Sequence, residues 1–583
     1  MSTRSTAPTP LRWGVLRGLL ALLSLTCSAL LLTAAQERPA ARVRLTDVTD
    51  ASGIAFVNAT GDPDHKDYIF EVKGGGVAAL DFDNDGWVDL LFSRGSSLER
   101  WRKGENPGPA LYRNRGDGTF EDVTQRAGLT RGGWGVGVSA ADYDNDGFVD
   151  LYLTNLGPDV LYRNDGDGTF TDVTETAGIR VPGWSSSAAF GDFDGDGHLD
   201  LYVAAYLDVG PDKLPEGRAG GTCSYIGVPV LCGPRGLPGA RDLYFHNNGN
   251  GTFTEQSEAS GAFDKESYFG LGVVAADVDG DRDLDIYVGN DATPNYLFVN
   301  RGDGRFDERG FPSGVAVSGD GNEQASMGVD AADYDNDGRP DLYAAHFASD
   351  YSTLYRNLGG LLFEDVTARA RIREPGWAFV KWGTGFVDLD HDGWKDLVHA
   401  NGHVYPHLRG AAGRETYEQP ALTIYLNGRD GTFRDVSSEA GPDATKRVLG
   451  RGIALGDLDN DGDLDLVVAC LDAKPLLLRN DGAPGHWLML RTAGRQSNRD
   501  GIGARVTVRT GDLSQVREVK RTVGIYSASD PRAHFGLGES AKADLVRVEW
   551  PSGKVDEFRD VAAGRHYLVD EAEGLRPEPL RGR

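Results

Sequence analysis

The stretch Asp81-Phe82-Asp83-Asn84-Asp85-Gly86-Trp87-Val88-Asp89, followed by Leu90, Leu91 and Phe92, decides how the rest of the chain is read. Three alternating carboxylates, a glycine at the sixth place and a carboxylate at the ninth turn four acidic side chains toward one point. Calcium takes about six to eight oxygen ligands in a flexible shell, which such a loop can supply, whereas magnesium demands a stricter octahedron. The apolar residues behind the loop predict the start of a buried strand. One copy would say little, because Asp, Asn and Gly serve any surface turn. The pattern occurs seven times, beginning at Asp81, Asp142, Asp192, Asp277, Asp333, Asp388 and Asp457.

The side chains expected to ligate are Asp81, Asp83, Asp85 and Asp89 in the first loop, Asp142, Asp144, Asp146 and Asp150 in the second, and Asp192, Asp194, Asp196 and Asp200 in the third. Asp277, Asp279, Asp281 and Asp285 follow, then Asp333, Asp335, Asp337 and Asp341, Asp388, Asp390, Asp392 and Asp396, and Asp457, Asp459, Asp461 and Asp465. The seventh residue of each loop is expected to ligate through its backbone carbonyl, a role that asks nothing of the side chain. Trp87, Phe148, His198, Asp283, Arg339, Trp394 and Asp463 accordingly differ in kind. Up to seven calcium ions are predicted. In the fourth loop Arg282 stands where the other six have glycine. A left-handed backbone there would add strain of about 1 kcal/mol, so the fourth site is expected to be the weakest or most distorted.

A second block follows most loops, as in Leu111-Tyr112-Arg113-Asn114-Arg115-Gly116-Asp117-Gly118-Thr119-Phe120 and its counterpart from Leu161. It reads as strand, tight hairpin, strand. One repeat then supplies about four short strands, the makeup of a propeller blade. After the seventh loop the chain reaches Leu476 to Gly482 and the second half of the block is missing, while Asp47-Val48-Thr49 stands ahead of the first loop. The predicted fold is all-β: a seven-bladed β-propeller with calcium loops over residues 36–485, closed by strands from both ends so that no edge is left exposed.

Composition agrees with this class. The chain has 583 residues, too many for one ordinary core, with 79 glycines, 4 cysteines and a formal net charge of -28. That charge speaks against nucleic acid, whose binding needs a basic face, and against an anionic membrane surface. Arg4, Arg12 and Arg17 precede an apolar run from Leu19 to Leu32 and the small residues Thr33-Ala34-Ala35. This is the order of a secretory signal peptide covering residues 1–35, with no membrane attachment expected after cleavage. Export matters because calcium outside the cytoplasm is high enough to fill even weak sites.

The D-x-D-x-DG-x-x-D loops ahead of apolar strands resemble the FG-GAP repeats of integrin α-subunit propellers and of secreted bacterial proteins. Beyond His486, the stretches from Asn498 (NRDGIGARVTV), His534 (HFGLG) and Val548 (VEWPSGKVDEF) resemble the ASPIC/UnbV domain. The pairing is similar to that in the family of cartilage acidic protein and its bacterial relatives. It implies a calcium-binding secreted propeller with a small carboxy-terminal β-sandwich-like domain over residues 486–574, and residues 575–583 are expected to be a loose tail. The resemblance implies no settled activity.

Three further features ask for a role. Cys223 and Cys232 lie in a Gly- and Pro-rich insertion at about residues 207–241, and in an exported protein they are expected to form a disulfide that fixes the loop. His399, His403 and His407 are four apart, but Gly402 and Pro406 argue against the helix that would align them for zinc or copper, so a hydrogen-bonded loop is the commoner explanation. Polar residues after the metal-loop strands, namely Asn155, Asn290, His346, Asn401 and His403, would line a polar central pocket together with Glu71 if they converge. An enzyme, metal-dependent or acting on small molecules or carbohydrate, would place its chemistry there. No G-x-S-x-G elbow, H-E-x-x-H or P-loop occurs in the sequence, so the favoured reading is a non-enzymatic binding or adhesion module for glycan, protein or matrix.

Overall fold

The computed structural model describes residues 2, 42–214, 223–373, 376–409 and 416–578, so the expected signal segment lies outside the described residues apart from Ser2. Residues 1–42 form one unit, of which only Ser2 and Arg42 are described, and residues 43–583 form the other. Everything below concerns the second.

Each repeat folds into one antiparallel four-stranded sheet. In the first, Val77–Leu80, Asp89–Phe92, Ala110–Asn114 and Phe120–Asp122 pair in chain order. The acidic loop joins the first strand to the second, and the Gly/Asp turn joins the third to the fourth. Second strands such as Asp150–Asn155 and Asp465–Cys470 are buried along their whole length. Both of their faces meet other sheets, which is why they read as unbroken apolar runs rather than alternating ones. Sheet packs on sheet: one core joins Tyr152 of the second repeat, Tyr202 of the third and Phe298 of the fourth.

The first strands of successive sheets touch, and that of the seventh, Gly450–Gly456, also touches that of the first. They approach so closely that side chains are excluded. A Cβ on Gly272 would lie 2.2 Å from the Met327 carbonyl oxygen, and one on Gly328 would lie 2.2 Å from that of Trp382. Glycine in a strand is costly, and here close backbone approach is its reason. The seventh sheet has only three strands from its own repeat. Its fourth is Leu45–Asp47, whose Leu45 sits opposite Asn480 and whose Asp47 sits opposite Leu478.

The carboxy-terminal region forms two four-stranded sheets around a core that includes Leu488, Val506, Phe535, Val546 and Trp550. The expected loose tail is corrected in part. Gly574–Pro577 is a strand paired with Tyr567–Asp570, and Arg491 holds Glu578 by an ion pair. Apolar Leu575 packs against the core, which gives this short segment a reason to stay.

This region is not an appendage. It lies over the ends of the repeat sheets that carry the acidic loops: Asp500 accepts from the backbone N–H of Asp142, Glu518 from that of Asp277, and Gly536 donates to Asp388. The segment Thr522 to Ser529 runs into the centre among the first strands. The Tyr526 carbonyl accepts from the N–H of Val138 and its own N–H donates to Ser187. Ala528 exchanges hydrogen bonds with Val77 and Ala79, Gly524 with Val329, and Ser529 accepts from the N–H of Leu455. Five of the seven sheets are reached by hydrogen bonds from one short segment, so strand edges that would be unsatisfied at the centre find partners.

The insertion carries a hairpin, Cys223–Tyr225 with Val228–Val230, closed by a disulfide between Cys223 and Cys232 with Cα atoms 5.3 Å apart. Its Tyr225 ring packs on Phe347, His403 and Tyr405.

Candidate metal loops

The seven loops share one internal hydrogen-bond pattern. The N–H of the sixth residue donates to the first aspartate: Gly86 to Asp81 at 2.8 Å, Gly147 to Asp142 at 2.7 Å, and so through Gly462 to Asp457 at 3.0 Å. The N–H of the seventh donates to the fifth, as Trp87 does to Asp85 and Asp463 to Asp461. The N–H of the fifth residue also bonds the first aspartate, as Asp85 does to Asp81 and Asp146 to Asp142, so the backbone holds the loop closed on its carboxylates. The Oδ1 atoms of Asp335 and Asp459 are buried and accept no hydrogen bond. A buried oxygen without a proton donor is costly, and a hard cation would satisfy it. In the first, second and third loops, carboxylate oxygens of the first, third and fifth residues lie within 4.8 Å of one another. Donor set and spacing thus fit calcium.

In the first three loops the seventh side chain packs on the hairpin turn, Trp87 against Gly116, Phe148 against Gly166 and His198 against Gly249. This explains their variety, and His198 also meets the Asn145 amide at 3.2 Å. The backbone at the sixth place is left-handed throughout, with φ of 89° at Gly86 and 97° at Gly462, and Arg282 shares it at 85°. Arg282 therefore carries the strain its position predicts, and its guanidinium reaches Glu549 of the carboxy-terminal region at 3.0 Å.

The ninth aspartate does more than the motif suggested. Asp89 is fully buried; its Oδ1 accepts from the N–H of Asn114 at 2.7 Å and its Oδ2 from that of Phe82 at 3.1 Å. Asn114 in turn donates its amide to the carbonyl of Leu458, in the seventh loop. Its counterparts do the same to the loop before: Asn164 to Phe82, Asn247 to Tyr143, Asn300 to Phe193, Asn357 to Val278, Asn427 to Tyr334 and Asn480 to Leu389. A second set runs the other way, from Asn84 to Gly147, Asn145 to Gly197, Asn336 to Gly393, His391 to Gly462 and Asn460 to Gly86. The asparagine of each L-Y-R-N block had no role in the sequence reading. Its repetition at one place in the block was the available signal.

Burial pushes the first carboxyl of these loops up, with the neighbouring carboxylates adding to it: Asp81 to about 6, Asp192 to about 7, and Asp142 and Asp457 to about 8. A carboxyl whose folded pKa exceeds its unfolded one is ionised at a cost to folding. That cost is absent below about pH 4 and grows as pH rises through the folded values. The metal-free protein is accordingly expected to lose thermal stability between pH 6 and pH 8.5; a melting temperature that rises over this range in a chelator-treated sample would contradict the sign.

The polar pocket is corrected. Asn155, Asn290, His346 and Asn401 occupy the same place at the end of their strands, but each is buried and turned to its own loop. Asn155 donates to the carbonyl of Pro158, Asn290 to that of Pro294 and Asn401 to that of Pro420, while His346 pairs with the Tyr351 carbonyl and the Ser326 hydroxyl. Glu71 accepts from the N–H groups of Asp67 and Tyr68. His403 accepts from those of Val404 and Tyr405, His399 lies against the Tyr343 hydroxyl, and His407 is exposed. Between them the centre is filled by Phe70, Trp134, Trp184, Tyr206, Trp382 and Tyr526. Lys73 is buried there against Asp291 at 3.0 Å and over the Tyr206 ring, and Arg451 donates to the carbonyls of Val72, Gly402 and His403. These polar side chains bond mainly to loop carbonyls nearby, although the Oδ1 atoms of Asn290 and Asn401 and Nε2 of His403 are buried without a hydrogen-bond partner.

No described helix is long and apolar enough to cross a membrane. Comparison with known proteins agrees with the repeat pattern. The FG-GAP-like repeat matches at residues 81–153, 142–203, 236–288, 277–344, 333–399 and 411–468, and the ASPIC and UnbV domain at residues 494–576. Cartilage acidic protein 1 of Homo sapiens is 28% identical over 329 residues, 53% of this chain and 46% of that protein. The Mus musculus protein is 27% identical over 366 residues, 60% of this chain and 49% of that protein, so the chain spans about half the length of these relatives. Among solved structures, an Agrocybe aegerita lectin that recognises non-reducing terminal N-acetylglucosamine aligns over 70% of this chain and 91% of its own, at 18% identity and a TM-score of 0.38. The chain belongs to the FG-GAP-like repeat family, with an ASPIC and UnbV domain following its repeats.

Proposed function

We propose that the chain is a secreted, seven-bladed β-propeller, closed by strands from both ends and stiffened by up to seven calcium ions, that acts outside the cytoplasm as a binding or adhesion module for a glycan, protein or matrix ligand. The observation that carries this reading is the repetition of one loop geometry in all seven repeats, each tied by an asparagine to the loop before it. Seven equal sites suit construction; a catalytic centre needs one that differs from the rest. The disulfide of the insertion suits an oxidising compartment. Against the enzyme reading, aromatic side chains lie among the residues expected to line its pocket, which favours the binding reading.

The purified full chain is expected to bind saturably to a surface of immobilised glycans, collagen or proteoglycan in calcium, and to be released by a chelator. Absence of binding across that panel, or turnover of a panel member, would defeat the reading. The fourth loop gives a finer expectation. Arg282→Gly removes a left-handed arginine and one exposed ion pair of small worth, so calcium affinity of that site should rise by about five- to tenfold in isothermal titration; an unchanged weakest site would leave the strain without consequence.

A further inference from the structure

A cleft of about 630 Å³ lies between the first two acidic loops and the carboxy-terminal region. It is lined on one side by Asn84, Asp85 and Asp142 and on the other by five arginines, in a chain whose formal net charge is -28. Two of these, Arg521 and Arg532, are structural: each is 9% exposed and clasped by its own carboxylate, Asp500 and Asp530. The other three stand at the opening. Arg491 and Arg576 have side chains 42% and 55% exposed, held from one side by Glu578 and Glu573. Arg499 belongs to the N-R-D-G stretch, whose Asp500 is spent on Asp142 and Arg521. Its backbone N–H donates to Asn145 and its Nη1 to the Gly494 carbonyl, which leaves Nε and Nη2 without an acceptor among the described residues, beside Gly147 of the second loop.

We propose that this cleft is the ligand site of the binding module described above, and that it takes an acidic oligosaccharide. The inference rests on that functional reading and narrows it. Guanidinium groups offer paired donors that match a carboxylate, while the Asn84 amide on the wall opposite can meet a hydroxyl. A sugar acid carries both kinds of group, whereas a neutral sugar would leave the arginines unmatched and a small inorganic anion would not span the two walls. Arg499 and Arg576 are assigned to the ligand carboxylates, and Arg491 to holding the far end of the cleft in register through Glu578.

The test uses the full chain at a fixed free calcium concentration, titrated calorimetrically with tetragalacturonate and, in parallel, with neutral cellotetraose. Tetragalacturonate is expected to bind and cellotetraose not to. Arg499→Gln and Arg576→Gln should each weaken binding by about tenfold with an unchanged melting temperature, and the exposed Arg559→Gln, on the strand Val555–Ala562, should weaken it by less than twofold. Absence of heat with tetragalacturonate, equal binding of the neutral sugar, or full affinity in the Arg499 and Arg576 variants would each overturn the assignment. If those variants still adhere to the immobilised panel as the unaltered chain does, the binding-module reading stands while this site falls.

Discussion

Chelating divalent cations at pH 8 is expected to lower the melting temperature of the full chain by about 15 °C or more, and adding calcium, but not equimolar magnesium, to restore it. A ligand at a hundred times its dissociation constant stabilises by about 2.7 kcal/mol per site, and seven such sites would amount to about 19 kcal/mol if all were independent. Even a fraction of this exceeds the ordinary stability of a domain, about 5–15 kcal/mol. The effect should also be cooperative. Five of the seven loops are hydrogen-bonded to the next through Asn84, Asn145, Asn336, His391 and Asn460, so among these a loop that relaxes withdraws a bond from its neighbour. Asp83→Ala should lower the calcium stoichiometry by about one ion and the melting temperature by a few degrees. A melt that is indifferent to chelator would refute calcium as the stiffening agent and leave the loops as turns closed by their own backbone.

The second large effect concerns the carboxy-terminal region. A chain ending at residue 485 is expected to aggregate or to melt at least 10 °C lower, because Thr522 to Ser529 supplies hydrogen bonds to five sheets and Tyr526, 1% exposed, fills the centre. Tyr526→Ala is the gentler form of the experiment. Loss of a buried aromatic ring costs about 3–5 kcal/mol, and circular dichroism melts would show it without removing the domain. If the truncated chain stays monomeric with an unchanged melt, the central segment is decoration.

Repetition made most of the architecture legible. Any one acidic loop is ambiguous, but seven in register set the sheet count, the strand order and the place where Leu45 must return. The asparagines were visible and unread, because their bonds join residues of different repeats and no local pattern announces them; Asn114 and Leu458 are 344 residues apart. The pocket was misread for the opposite reason. Asn155, His346 and Asn401 look available in sequence, yet each is buried with its side chain bonded to nearby backbone, and the aromatic residues of the centre come from six separate stretches. The course of Thr522 to Ser529 was not legible at all, since its mixed apolar and small residues give no sign of which strand edges they will pair with.

The pairing of Leu45–Asp47 with Leu476–Asn480 sets an order in time. Leu45–Asp47 precedes its partner by nearly the whole repeat array and has no edge to join until that array has been made. The central segment at Tyr526 is made later still. Until Leu476–Asn480 has been made, the waiting strand has to be kept from pairing elsewhere.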